Sequence, residues 1–411
     1  MTSDPFVWTW LGGRRTPVVA GRVVPLDEGS YGFVYGKSYL ARGDALPLGP
    51  DLPLIEGAQL PAPDAGDLHP TIRDACPDSW GQRVIEHRLG HAQASGPLGW
   101  PTLMMESGSN RIGALDFQSS ATDYVPRQET APLAELLDAA QRIADGGDLA
   151  PALAVALEHG TSVGGARPKV LVQDERGREL IAKMSSSSDV LPVVKAEGAA
   201  MEVARRVGLD VAESRVERVH GRDVLLVRRF DRTADGGRRQ VLSGLGILGL
   251  HENWARYATY PEILATIDRN SRGVSAGPEL FGRIAVSIAV SNSDDHARNT
   301  AVFWDGRHMS LTPAYDLAPG ARAGETATQA MAYGLDGQRA SNFAELIRCA
   351  GVFHLTPAAA ADVVERVIDT VETEWEDIAD MALLTTAERR SLRTRQFLNP
   401  GVMHGFRRPS R

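Results

Sequence analysis

The chain has 411 residues, 43% of them hydrophobic and 23% charged, with a formal net charge of −8. Such composition allows two or three cores and excludes wholesale disorder, while the negative balance disfavours a non-specific grip on nucleic-acid phosphates unless a local basic face supplies it. Two cysteines, Cys76 and Cys349, exclude a disulfide scaffold and a cysteine zinc site and suit a reducing cytosol.

No apolar run approaches the roughly 18 residues of a membrane span. The first residues, Met-Thr-Ser-Asp-Pro, carry an acid where a secretory signal would carry positive charge. A cytoplasmic protein without membrane contact is therefore expected.

To about residue 120 the pattern is of short strands and turns: Phe6 to Trp10, Val18 to Val24, and an alternating run from Tyr31 to Tyr39. Ala45 to Asp67, rich in Pro and Gly, reads as loop. Pro77 to Leu89 reads as a short helix with Asp78 or Ser79 as N-cap. The polar stretch 121–132 holds two prolines and marks a boundary. Helices are expected at 133–143 and 150–158.

Beyond them, Val170 to Val172 and Leu180 to Lys183 form two strands joined by the turn Asp174-Glu175-Arg176-Gly177. Lys195 to Val207 has helical spacing, with Gly208 as C-cap. Val216 to Val219 and Val224 to Phe230 make a second hairpin, so this part is a small sheet carrying one helix. From residue 233 the chain turns mostly helical. Pro278 to Val290 is a buried helix, Ala301 to Trp304 and His308 to Leu311 a hairpin, and Ala358 to Met381 and Ala387 to Gln396 are tail helices.

The strongest constellation is Asp294 and Asn299, five residues apart after the buried helix, followed by the hairpin and then Asp316. Phosphoryl transfer from ATP needs a carboxylate to take the acceptor hydroxyl's proton, and oxygen donors to hold Mg²⁺. Kinase catalytic loops use this spacing. Asp294 and Asn299 could equally cap turns, and Asp294, Asp295 and His296 could form a metal cluster. Lys183, at a strand end, is the candidate phosphate lysine. Glu197, fourteen residues on, could pair with it or simply favour the helix dipole.

Thr161 to Lys169 is a loop with paired glycines, Gly164 and Gly165, whose backbone and whose Lys169 could meet phosphates, or which could be only a turn. Arg228 to Asp231 follows the last strand of the sheet. There Phe230 could line an adenine pocket or sit in the core, and Asp231 could bond a ribose or end the strand. Pro77-Asp78-Ser79-Trp80-Gly81 reads as a helix start only.

Ser162 to Lys169, Val227 to Arg232, Ser293 to Asn299 and Pro313 to Leu317 occur in the order and at the spacing of a known family. The chain resembles the HipA-like Ser/Thr kinases, the toxins of bacterial HipBA toxin–antitoxin modules. The resemblance implies an α+β, two-lobed, protein-kinase-like fold. Its parts would be a β-rich N-terminal subdomain at 1–125, a small lobe at 126–232 and a helical lobe at 233–411.

It further implies Asp294 as catalytic base, Asn299 and Asp316 as Mg²⁺ ligands, and Lys183 on the ATP phosphates. Arg228 and Phe230 would form an adenine-facing hinge, with Asp231 and His296 near the cofactor. Ser162, or Thr161 beside it, would be autophosphorylated. The implied substrate is a protein, with aminoacyl-tRNA synthetases as the class. The implied partner is a HipB-like helix-turn-helix antitoxin, through which alone operator DNA is met. A small-molecule kinase on the same fold, and a catalytically silent co-repressor, are the alternatives.

Overall fold

The computed structural model describes residues 4–12, 14–90, 96–127, 169–185, 191–219, 221–322 and 324–408. The helices expected at 133–143 and 150–158, Thr161, Ser162, Gly164 and Gly165 of the glycine loop, and most of the serine run 185–188 lie outside them.

Five antiparallel strands form the first sheet: β1 (Phe6–Thr9), β2 (Val18–Pro25), β3 (Tyr31–Tyr35), β4 (Ala58–Gln59) and β5 (Leu115–Gln118), in the order β4-β3-β2-β1-β5. Its aromatic and β-branched residues enclose a core with Val7, Val23, Phe33 and Phe117 fully buried. The alternating run from Tyr31 does not continue to Tyr39 as strand. At Gly36 the chain enters a helical turn, Lys37–Leu40, which folds Tyr39 back to stack on Tyr35 at 5.5 Å. This part also holds the helices α1 (Ser79–Arg88) and α2 (Trp100–Glu106), after a single helical turn at Pro70–Arg73. The second, opened by Pro101 in its first turn, has no counterpart in the sequence reading.

The second sheet holds β6 (Lys169–Gln173), β7 (Glu179–Met184), β8 (Ser214–Val219) and β9 (Arg222–Arg228), in the order β6-β7-β9-β8. One helix, α3 (Val193–Val207), packs on it and ends at Gly208 in the left-handed conformation, φ +96. This is the expected strand–strand–helix–strand–strand unit. Gly198, where an added methyl would lie 2.4 Å from Val216 Cγ2, lets α3 approach the sheet closely.

A third sheet joins β10 (Gln240–Ser243) to the predicted hairpin β11 (Ala301–Trp304) and β12 (Met309–Leu311). Around it lie α4 (Tyr260–Arg269), α5 (Gly277–Ala289), α6 (Pro357–Thr373), α7 (Trp375–Met381) and α8 (Thr386–Arg395). Leu280, Phe281, Ile284 and Ile288 of α5 are fully buried, at about 1.5–3 kcal/mol each, so α5 is the central helix of the C-terminal core. The single helix expected from 358 to 381 is two. The Thr373 hydroxyl bonds back to the Asp369 carbonyl at 2.8 Å, the ladder breaks at Glu374, and Trp375 turns inward onto Phe397. No helix among the described residues is long and apolar enough to cross a membrane.

Candidate active site

Lys183 stands on β7 opposite Leu225 of β9, on the face that α3 covers. Its ammonium donates to Glu197 Oε1 of α3 at 2.6 Å and to Asp316 Oδ1. Burial alone would pull the lysine down, but Asp316 and Glu197 outweigh it and hold its pKa above the usual range. The reciprocal effect holds Asp316 low: burial raises it, and Lys183, then Lys169 and His296, overcome that. Lys183, Glu197, Asp316 and His296 are thus one electrostatic unit assembled from four parts of the chain.

Asp316 is set by its approach. Ala314 bonds both ways with the segment between α3 and β8: its amide to Asp210 O at 2.7 Å, its carbonyl from the Ala212 amide at 2.9 Å. Tyr315 donates to Arg298 O at 2.7 Å. Asp316 itself has φ +59, a left-handed conformation that Asp tolerates better than most residues and that turns its carboxylate toward Lys183.

The loop after α5 alternates outward and inward. Asp294 is exposed, whereas Asp295 is buried and accepts from Tyr260 Oη at 2.5 Å and Ser287 Oγ at 3.3 Å. Burial raises the Asp295 pKa, with the Tyr260 bond opposing. Asp295 is therefore the loop's anchor. Among the described residues no three His, Cys, Asp or Glu side chains are grouped to hold a metal, so the cluster Asp294–Asp295–His296 is not formed. The loop is braced below: Ser291, with φ +57, donates from Oγ to Gln396 O at 2.7 Å and accepts from the Gly320 amide.

Asn299 turns its amide nitrogen to Asp294 O at 3.4 Å, which leaves its side-chain oxygen as the end it can offer a cation. That oxygen and the carboxylate of Asp316 are both oxygen donors, the kind a hard cation such as Mg²⁺ takes. The residues fit the metal that the resemblance implies.

Lys169 opens β6 directly opposite Lys183. It is 3% exposed, and its Nζ lies 3.5 Å from Asp78 Oδ2. Burial pulls its pKa down to about 8, with Asp78 opposing and Lys183 adding to the fall. Asp78, read from sequence as a helix start, does cap α1: its Oδ1 accepts the Gly81 amide at 2.8 Å. Its second contact, to a residue 91 positions later, had no local signal.

The hinge expectation changes most. Arg228 pairs with Glu213 at 2.9 Å, and the amides of Arg228 and Arg229 donate to Glu213 O and Glu179 O. Main-chain contact with an adenine would then fall to carbonyls or to Phe230. The Phe230 ring packs edge-on against Phe303 at 5.8 Å and beside Tyr315 at 5.6 Å. Asp231 is not brought to the lysine centre. The residue is 1% exposed, and its carboxylate is taken by Arg229, by Arg232 at 2.8 Å and by the Gly113 amide at 2.8 Å, so a ribose contact there finds no free oxygen.

The model of the HipA-like C-terminal domain matches residues 161–375, and that of the HipA N-terminal domain matches residues 13–118. A protein of Sinorhizobium fredii (strain NBRC 101917 / NGR234), named "Putative kinase Y4mE", is 26% identical over 343 residues, 75% of this chain and 76% of that one. The HipA chain in the Shewanella oneidensis MR-1 complex of HipA, HipB and operator DNA superposes with a TM-score of 0.70 at 18% identity, covering 97% of both chains, and shares the α+β fold. Since the first model alone spans more than half of the chain, the chain belongs to the HipA-like family.

Proposed function

We propose that this chain is an ATP- and Mg²⁺-dependent serine/threonine protein kinase, acting in the cytoplasm as the toxin of a HipBA-type module. The observation that carries the reading is the Lys183 ammonium held between Glu197 and Asp316. A kinase needs that lysine charged, positioned and close to the carboxylate that serves the metal.

In this reading Asp294, the exposed acid of the loop, takes the proton from the acceptor hydroxyl as its oxygen bonds to the γ-phosphorus. The bond from that phosphorus to the β–γ bridging oxygen breaks, and ADP departs. Lys183 and Lys169 offset the charge on the phosphates. Asn299 and Asp316 would hold Mg²⁺, which supplies further charge neutralisation when bound. Tyr260 and Ser287 fix Asp295, and so keep Asp294 facing outward.

The partner reading rests on the relative solved with HipB and operator DNA. A HipB-like antitoxin would bind this chain, and operator DNA would be met through it, as the net charge of −8 favours. An aminoacyl-tRNA synthetase is the proposed substrate class, and Ser162 the proposed autophosphorylation site, with Thr161 as its neighbour. The test is transfer of labelled phosphate from ATP to the chain itself and to a lysate. Label should require a divalent cation and vanish in Asp294→Ala and Asp316→Ala. Full activity in either variant sinks the assignment, and mass spectrometry of Ser162→Ala and Thr161→Ala assigns the acceptor.

A further inference from the structure

Two lysines on neighbouring strands face each other across the β6–β7 register, Lys169 opposite Lys183. Like charges so placed repel, and each needs its own carboxylate. Lys183 has Glu197 and Asp316. Lys169 has Asp78, which comes from the N-terminal part of the chain, at the start of α1.

The two oxygens of Asp78 divide the work. Oδ1 accepts the Gly81 amide at 2.8 Å and caps α1, while Oδ2 faces the Lys169 ammonium at 3.5 Å. Capping needs only one oxygen and no charge, since Asn serves as well as Asp there. The contact of Oδ2 with Lys169 is therefore separate from the cap.

The same short stretch reaches the catalytic loop. Asp74 accepts from the Ser243 amide at 2.7 Å and its hydroxyl at 2.8 Å. The next two amides, of Gly244 and Leu245, donate to Thr300 O and Ala297 O at either side of Asn299. Residues 74–78 thus meet Lys169 directly and reach the loop that carries Asp294 through Ser243 to Leu245.

We propose that Asp78 is a positioning residue of the ATP-phosphate centre: it holds the ammonium of Lys169 beside Lys183, so that the N-terminal part of the chain completes the nucleotide site. The inference rests on the kinase reading above. Without the carboxylate, Lys169 is left buried next to a second cation, and it either turns away or gives up its proton. Burial has already brought its pKa down to about 8, so little further loss is needed. A phosphate contact is lost in both cases, whereas Asp294 and the acceptor are untouched.

The test uses the full chain in a phosphate-transfer assay, with the melting midpoint recorded on the same samples. Asp78→Asn keeps the cap and removes the charge. It is expected to raise KM for ATP about tenfold while kcat stays within about threefold, and Asp78→Glu is expected to recover most of the loss. A KM for ATP unchanged in Asp78→Asn, even with a lowered midpoint, makes the aspartate merely structural and overturns the proposal.

Should Asp78→Asn not fold, Lys169→Met and the double variant Asp78→Asn/Lys169→Met take its place, the latter burying neither charge. Equal KM values in the two support action through Lys169, and a further rise in the double variant refutes it. Wild-type chain that binds no ATP by titration calorimetry overturns the kinase reading and this inference together. ATP binding with an unmoved KM in Asp78→Asn overturns this inference alone.

Discussion

Gly198 follows Glu197 in α3, at the point where the helix meets the sheet. A methyl group there would lie 2.4 Å from Val216 Cγ2 and 3.6 Å from Leu225 Cδ1. Carbon atoms rest at roughly 3.5–4.0 Å, so Gly198→Ala requires about 1 Å of movement. Val216 is buried and β-branched, with little rotamer freedom, so the helix rather than the side chain must give. The Lys183–Glu197 contact, 2.6 Å in the structure, would stretch to about 3.6 Å, beyond hydrogen-bond range. Alanine improves helix propensity by about 1 kcal/mol, while overpacking costs about 1–3 kcal/mol, so the net destabilisation is at most about 2 kcal/mol. The catalytic loss should be far larger, on the order of 10²-fold in kcat, because the displaced group positions the phosphate lysine. The assay compares kcat with the melting midpoint. A variant with wild-type kcat and an unchanged or higher midpoint would show that the helix–sheet spacing does not set the ion pair, and would refute the reasoning.

Asp231→Asn should behave in the opposite way, costing about 3–5 kcal/mol in denaturant titration by leaving Arg229 and Arg232 buried beside a neutral amide, with KM for ATP unmoved. A raised KM at unaltered stability would return Asp231 to the ribose. Tyr260→Phe removes the hydroxyl that Asp295 accepts at 2.5 Å and should cost about 1–3 kcal/mol in urea unfolding, an undiminished stability counting against Asp295 as the loop's anchor. Asp116 is fully buried with Arg111 at 3.0 Å; burial raises its pKa, and Arg111 and Arg127 more than offset that and hold it below the ordinary value near 3.9. Its stabilisation is therefore full above about pH 4 and is lost as pH falls through the folded value. Asp116→Asn should flatten the fall in stability below about pH 4 relative to wild type, and parallel curves for the two proteins would remove Asp116 from the effect.

Features with local causes were legible in the sequence. The turn Asp174 to Gly177 and its alternating flanks gave β6 and β7, because hairpin register follows from the turn. Helix α3 was visible from its apolar period and from Gly208 beyond its end. The ion pairs of Lys183 with Glu197 and Asp316 join residues that the sequence reading had singled out by their order along the chain. What stayed hidden depends on partners far away. Strand β10 has four residues and no meaning until β11 pairs with it some sixty positions on. Asp231 looks the same in sequence whether it meets a ribose or two arginines. The alternation from Tyr31 ran on past Gly36 because Tyr39 is buried by a helical turn as completely as a strand would bury it.

Buried polar groups tie the N-terminal part to the rest of the chain. Arg229 donates to Asn110 and to Arg111 O at 2.6 Å, Arg232 to Arg111 O at 2.7 Å, and Arg238 to Ser109 O at 2.9 Å. In return Asp231 accepts from the Gly113 amide, and Arg73 reaches Leu250 O at 2.5 Å. Each guanidinium has a fixed fork and must find its carbonyls at set positions, or else be left buried and unsatisfied. An apolar seam tolerates sliding by an ångström, whereas such a lattice of donors accepts one arrangement. That single arrangement puts Asp78 against Lys169 and Asp74 against Ser243. The sheet that looks like an addition to a kinase-like body is therefore held at a fixed distance from Lys169 and Lys183. Whatever shifts that sheet shifts them as well.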